Sequence, residues 1–391
     1  MEAYLDNGNT TPVDEKVVEA MKPYFTKKYG HPLFIYSKGR EANETVENAS
    51  ESIANTVGAQ GNELTFTSGA TEANDIAIRG VAKANKENGN HIITSEIENP
   101  SILRICEELE DRGFEVDYLE VDDEGFVNLE QLNNLISKET ILVSIGHVSD
   151  EIGTIEPIKE IGKTIKDQNP ETYFHSNIAN SYGKVPIDMN ETQVDLLSIS
   201  AHKIHGPKGV GALISRDNVA ISPVNYGYLS LSEIRPGTEN VPGIVGFKKA
   251  AELSFGNFDS KVKHLQNLRN KLMEGIEKNI PEVILHGPKG DKRSPANVNY
   301  SFEHIEGESI LMHLDMRGIS VATGSACATR KLEPSHVLTA IGVDPVTAHG
   351  AIRFTLSRMN TEEEIDYTLE VLPEVVEKLR EMSPMAKKRG E

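Results

Sequence analysis

The sequence predicts an α/β chain, a largely parallel sheet covered by helices, followed by a smaller α+β domain. Two observations carry the first part. Short apolar runs recur at 91–94, 116–119, 141–145, 172–174 and 194–199, and segments with helical spacing, such as 102–112 and 158–167, alternate with them. The second part rests on a change of pattern after Gly256: a long helix lined by Val262, Leu265, Leu268, Leu272 and Ile276 leads into shorter strand candidates. The expected division is a large domain at 13–254 and a small domain made of 1–12 and 255–391.

Taken in order, Val17, Met21 and Tyr24 predict a first short helix after Pro12-Val13-Asp14, and a polar-faced helix is expected over 41–57. The run 63–67 reads as a strand, Ser68-Gly69 as a turn, and 70–85 as a helix. A glycine turn feeding a helix start brings unpaired N–H groups and a positive dipole end towards a ligand, with the Ala70 main chain and the Thr71 hydroxyl at hand. That is a phosphate cup by physics, and equally an ordinary helix cap. In the second domain, strands are expected at 283–285, 297–300 and 319–321. The last helix opens with the capping box Thr361-Glu362-Glu363-Glu364, and 385–391 is expected to fray.

In parallel sheets ligands sit beyond the carboxyl ends of the strands. The polar residues just after these strands are Asn99, His147 with Asp150, His175 with Asn177 and Asn180, and Ser200 with His202 and Lys203. They are expected to converge on one cleft. Lys203 leaves the end of an apolar strand and precedes the turn Gly206-Pro207-Lys208-Gly209. Partial desolvation there would lower its pKa and make its amine a nucleophile, although lysines at such ends are commonly solvated. Arg353 lies inside the apolar run 352–356, where it wants a carboxylate, either a substrate's or an internal partner's.

Sixty acidic against 40 basic residues give a formal charge of −20, which disfavours binding to nucleic acid or to an anionic membrane surface. No apolar run approaches the roughly 20 residues of a membrane helix. Met1–Asp6 lacks a basic and then apolar leader, so a cytoplasmic setting is expected. The two cysteines, Cys106 and Cys327, make neither a disulfide framework nor a metal cluster. Cys106 reads as filler. Cys327 stands among small residues in Thr323-Gly324-Ser325-Ala326-Cys327-Ala328-Thr329-Arg330, which suits an accessible thiol, with Arg330 and Lys331 favouring its thiolate.

These motifs together resemble the cysteine desulfurases, fold-type I enzymes of the class-V aminotransferase group that use pyridoxal 5'-phosphate (PLP). The resemblance runs from Tyr4-Leu5-Asp6-Asn7 to Ile365-Asp366. It is carried by Thr67-Ser68-Gly69-Ala70-Thr71-Glu72-Ala73-Asn74, the stretch 198–211, Arg235-Pro236-Gly237-Thr238-Glu239-Asn240, and Gly324-Ser325-Ala326-Cys327. It implies a seven-stranded sheet in the large, PLP-binding domain and a catalytic cysteine loop in the small one. By resemblance, Lys203 forms the Schiff base with PLP. Thr71, Ser200 and His202 hold its phosphate, and Thr238 reaches over from the other subunit of a homodimer. Arg353 clamps the carboxylate of L-cysteine. Cys327 takes the sulfur as a persulfide, leaving L-alanine. The acceptor implied is an iron–sulfur cluster scaffold or a thiolation partner, and Cys327 could ligate that partner's cluster; no other metal site is expected.

Four positions depart from the family pattern. Asn99 replaces a histidine that stacks on the cofactor ring, Asn177 an aspartate that pairs with its nitrogen, and Asn180 a glutamine; Asp150 replaces an asparagine near the substrate carboxylate. An asparagine can hydrogen-bond the ring nitrogen but supplies no charge to hold a proton there. The alternatives to a desulfurase are a fold-type I enzyme turned to another substrate and a PLP-impaired sulfur carrier. Lys203, Cys327 and Arg353 together favour the desulfurase.

Overall fold

The computed structural model describes residues 1–228, 230–324 and 334–383. Its strands, in chain order, are β1 (Ala3–Tyr4), β2 (Leu64–Thr67), β3 (His91–Ser95), β4 (Glu115–Leu119), β5 (Thr140–Ser144), β6 (Tyr173–Asn177), β7 (Leu196–Ser200), β8 (Gly211–Ser215), β9 (Val283–Leu285), β10 (Asn297–Phe302), β11 (Ile319–Ser320), β12 (Ala322–Thr323) and β13 (Ala351–Thr355).

Seven of them form one sheet in the order β2-β8-β7-β6-β5-β3-β4. The pairs β3–β4, β3–β5, β5–β6 and β6–β7 are parallel. Helical crossovers make this possible: Pro100–Asp111 lies between β3 and β4, and Ile158–Gln168 between β5 and β6. β8 is antiparallel to both β7 and β2. Residues 201–210 are too few for a helical crossover, so the chain turns straight back. The ends Thr67, Ser95, Ser144, Asn177 and Ser200 therefore share one edge of the sheet.

The apolar runs are buried as their composition demands. Leu196, Leu197 and Ile199 are fully shielded, as is Ile93 in β3. A second apolar cluster joins Leu265, Leu268, Leu272 and Ile276 of the helix Phe258–Asn279 to Val298 and Phe354, and to Ile365 and Leu372 of the helix Glu362–Met382. The antiparallel sheet beside it has the order β12-β13-β10-β9. β1 pairs with β11, and Asp6 bridges to Thr355, so the amino-terminal residues run beside the late strands.

The expected elements differ from the observed ones in instructive places. The helix expected over 41–57 spans Ser37–Ala54 and tightens into a 3-10 turn, Asn55–Val57, before Gly58 reverses the chain at a φ of 74°. The strand expected at 319–321 is two: Ile319–Ser320 pairs with β1 and Ala322–Thr323 with β13. The helix Val241–Phe255 escapes a reading by periodicity. It is wedged against the helices Glu15–Thr26 and Ser37–Ala54, so apolar residues occupy most of its faces. Cys106 is core, fully buried. The capping box at Thr361 forms as expected, and 385–391 lies outside the described residues. No helix among the described residues is long and apolar enough to cross a membrane.

Burial sets how stability depends on pH. It depresses His147, His202, His205 and His286 to about 4 and His175 to about 3, from 6.5. It raises Glu98 and Glu151 to about 7 and Glu156 to about 8, from 4.5. As pH falls from 8 towards 6.5, the three glutamates take up protons in the folded chain alone, which stabilises it. Below 6.5 the five histidines take up protons in the unfolded chain alone and outnumber the glutamates, so stability falls. The urea midpoint is expected to peak at about pH 6–7, with a decline on both sides over pH 4.5–8.

Candidate active site

The site begins where β7 stops. Ser200, at the strand's last position, pairs with Gly211, which in turn pairs with Thr67 of β2. A Cβ at Gly211 would lie 2.6 Å from the Gly69 Cα and 2.5 Å from the Ile199 carbonyl oxygen. Glycine at this position thus lets the turn before the helix Ala70–Ala84 lie directly against the end of β7. That helix opens towards Ser200, whose Oγ is buried and has no hydrogen-bond partner among the described residues. A buried hydroxyl without a partner beside a helix N-terminus suits an anion such as a phosphate.

After Ser200 the backbone makes a 3-10 turn, Ala201–Lys203. It folds back so tightly that a Cβ at Gly206 would meet the Ala201 carbonyl oxygen at 2.7 Å. His205 is held at a φ of 66° by bonds from its N–H to Thr11 Oγ1 (2.9 Å) and between its Nδ1 and the Pro12 carbonyl (2.9 Å). Thr11 donates its N–H (3.1 Å) and its hydroxyl (2.8 Å) to the His202 carbonyl, and Thr10 Oγ1 lies 3.2 Å from His202 Nδ1. The Lys203 ammonium donates to the Gly8 carbonyl. Residues 8–12 are therefore the back wall of the turn, and sequence reasoning missed them as site residues. Their one signal is a polar, turn-forming run, Asp6 to Thr11, directly after the apolar Leu5.

The sequence-expected residues Ala70, Thr71, Asn99, Asp150, Asn177, Asn180, Ser200, His202 and Lys203 line one cleft of about 580 Å³, together with Lys208. His147 and His175, expected with them, do not line it but are buried, His147 bonded to Ser181 and His175 to Ser144 and Ser198. Burial, opposed by Asp150 and Asp6, lowers the Lys203 amine below the usual lysine range. Burial and the neighbouring Lys203, Lys208 and Lys184 charges push His202 down to about 4, so its ring is neutral at neutral pH. Lys184, missed by sequence reasoning, is buried behind the cleft and pushed down to about 8, again chiefly by burial.

The amides are held in fixed directions. Asn99 caps the helix Pro100–Asp111, its Oδ1 accepting from Ser101 N–H at 2.9 Å, and its Nδ2 donates to Asp150. Asn180 Nδ2 donates to the other Asp150 oxygen. Asn177 Oδ1 accepts from Ala179 N–H at 3.1 Å. Arg353, at the middle of β13, donates to the Asp150 main-chain oxygen (3.1 Å) and to Asn9 Oδ1 (2.9 Å), with Asp6 at 3.7 Å. Its Nε is buried without a partner among the described residues. Thr238 is not brought to the cleft of its own chain; it bonds to His31 (3.2 Å) and lines a separate groove. Cys327 lies outside the described residues. Among the described residues, no three histidine, cysteine, aspartate or glutamate side chains gather as a metal site.

The family model for class-V aminotransferases matches residues 3–368. The chain belongs to the class-V aminotransferase family. Within it, the relatives are cysteine desulfurases. "Cysteine desulfurase IscS" of Dictyoglomus turgidum is 49% identical over 383 residues, covering 98% of this chain and 96% of the relative. The protein of that name from Methanosarcina thermophila is 48% identical over 385 residues, covering 98% and 94%. Among solved structures, a NifS-like protein superposes with a TM-score of 0.91 at 37% identity, covering 97% of this chain and all of that one. SspA, solved in complex with cysteine, gives 0.80 at 32% identity, covering 92% and 100%.

The fit of the Gly69 turn against β7 yields a direct check. Gly211→Ala forces a Cβ into two backbone segments and is expected to cost about 1–3 kcal/mol, read as a lower urea midpoint.

Proposed function

We propose that this chain is a PLP-dependent cysteine desulfurase, converting L-cysteine to L-alanine and passing the sulfur on through Cys327. The observation that carries the reading is the strand end itself: the partly buried, depressed Lys203 amine shares a cleft with the unpartnered Ser200 hydroxyl and the start of the helix Ala70–Ala84. Those groups fit PLP, whose phosphate needs donors and whose aldehyde needs an amine. When bound, PLP supplies an electron-withdrawing ring conjugated to the substrate nitrogen.

The chain's own residues have the following parts. Ser200, the Ala70 and Thr71 N–H groups and the Thr71 hydroxyl hold the phosphate, and neutral His202 can donate a ring N–H. Asn177 and Asn180, which line the same cleft, would offer amides rather than a charge beside the ring. Lys203 carries the cofactor and, once displaced by substrate, moves protons as an amine poised by burial. Arg353 takes the substrate carboxylate, for which its position beside Asp150 and its unpartnered Nε are suited. The Cys327 thiolate attacks the sulfur of the bound cysteine. Overall, L-cysteine and the Cys327 thiol give L-alanine and a Cys327 persulfide, a balance that needs no outside oxidant.

Further parts of the proposal rest on the relatives and the site together. Thr238 serves the phosphate of a second copy in a homodimer, which agrees with its distance from its own cleft. The persulfide goes to a sulfur acceptor such as an iron–sulfur scaffold, in the cytoplasm. The chain divides into a large domain at 13–254 and a small one at 1–12 and 255–391.

Incubation with PLP is expected to give a visible absorption band that changes on adding L-cysteine, with L-alanine formed. Lys203→Ala is expected to abolish the band, and its persistence would show that another amine carries the cofactor. Cys327→Ala is expected to keep the band and lose persulfide, measured by alkylation and mass spectrometry. For Arg353→Ala, the loss of a charged hydrogen bond is expected to raise KM for L-cysteine roughly tenfold to a hundredfold.

A further inference from the structure

We propose that Asp150 is a catalytic residue of this cleft, its carboxylate taking a proton from the ammonium of the incoming amino acid. The inference rests on the cofactor and substrate reading above. It starts from the lining of the cleft, where Asp150 is the one acidic side chain among the described residues; the rest is amides, hydroxyls, glycines, alanines, one imidazole and two lysines.

The carboxylate is built in rather than left at a surface. Each of its oxygens accepts an amide N–H, one from Asn99 and one from Asn180. Asn99 has its Oδ1 committed to Ser101 N–H, so its NH2 group is the part that faces Asp150. Asn180 Oδ1 is buried with no partner among the described residues, and within these Asp150 is the group that orients this amide. A carboxylate accepts about four hydrogen bonds, so each oxygen retains room for a further donor from the cleft. Arg353 donates to the main-chain oxygen of the same residue at 3.1 Å. The cation that suits a carboxylate and the anion that suits an ammonium are thus neighbours, which fits a zwitterionic amino acid one way round.

The charged groups around Asp150 agree with this role. Lys203 approaches from the turn after β7, Lys184 from the segment after β6, and Arg353 from β13. Glu98, ahead of the helix Pro100–Asp111, and Glu151, the next residue in the chain, also face it. Burial raises both glutamates to about 7, and the charge of Asp150 adds to that rise. The two buried glutamates hold protons more readily, and Asp150 is the carboxyl group of the three that lines the cleft. In the step itself, the substrate ammonium loses one proton to an Asp150 oxygen. The products are a neutral carboxyl group and a free amine with its lone pair available. Asn99 and Asn180 are positioning residues for this transfer.

The test uses the full chain loaded with PLP. Asp150→Asn keeps the shape and removes the proton acceptor. It is expected to retain the visible band and to lower kcat/KM for L-cysteine by about a hundredfold or more. Without substrate, the pH midpoint of the band is expected to fall in this variant, because losing an anion beside Lys203 disfavours the cationic form there. Asp150→Ala is expected to regain turnover as formate is added, since a small carboxylate replaces the missing one. Unchanged kcat/KM and band midpoint in Asp150→Asn, or an Asp150→Ala variant that formate does not rescue, would overturn the assignment while leaving the cofactor reading intact. A wild-type chain that develops no band with PLP overturns the cofactor reading, and this assignment with it.

Discussion

The site depends on a backbone constraint, the close approach of Gly69 to the end of β7 that a glycine at 211 permits. Ser200, Gly211 and Thr67 stand abreast in register, so the turn after one strand and the helix after another open at the same point. From that register come the unpartnered Ser200 hydroxyl, the direction of the helix Ala70–Ala84, and the exit of Lys203 into a turn with no room to spread. The back wall of residues 8–12 completes the enclosure by taking up the His202 carbonyl, the His205 N–H and the Lys203 ammonium. Burial then does the chemistry's groundwork, depressing both the lysine and the histidine.

Charge is distributed against the grain of the whole molecule. The chain carries a formal −20, yet the cleft collects Lys203, Lys208 and a helix N-terminus, with Arg353 and Lys184 close behind. An anionic ligand entering such a recess meets a local field opposite in sign to the surface around it. Asp150 is the counterweight. Two amides and the nearby cations hold it where the relatives' resemblance would lead one to expect an uncharged side chain, while the amide of Asn177 stands where a charge would be expected.

Much of this was legible in the residues. Apolar runs alternating with amphipathic helices gave the parallel sheet, because a strand buried on both faces must be apolar along its length. The polar residues after those strands gave seven of the cleft's lining positions, since strand direction alone puts the ends of parallel strands on one edge. What escaped were elements without periodic signal. The helix Val241–Phe255 is apolar on most faces because it is enclosed by others. Asp6, Gly8, Asn9, Thr10 and Thr11 join the site through contacts to residues nearly two hundred or more positions away, as in Thr11 with His202 and Asn9 with Arg353. Nothing local in a sequence encodes such pairings.

The sequence by itself determined the class of the fold, the family to which the chain belongs and the set of side chains offered to the cleft. These follow from hydrophobic period, turn chemistry and motif order, which are properties of short stretches. The tertiary structure alone decided the state of those side chains: which amide faces Asp150, which hydroxyl is left without a partner, and how far burial moves Lys203 and His202. The physical reason is that desolvation and hydrogen-bond partnership depend on everything packed within a few ångströms. At the end of β7, those neighbours come from distant parts of the chain.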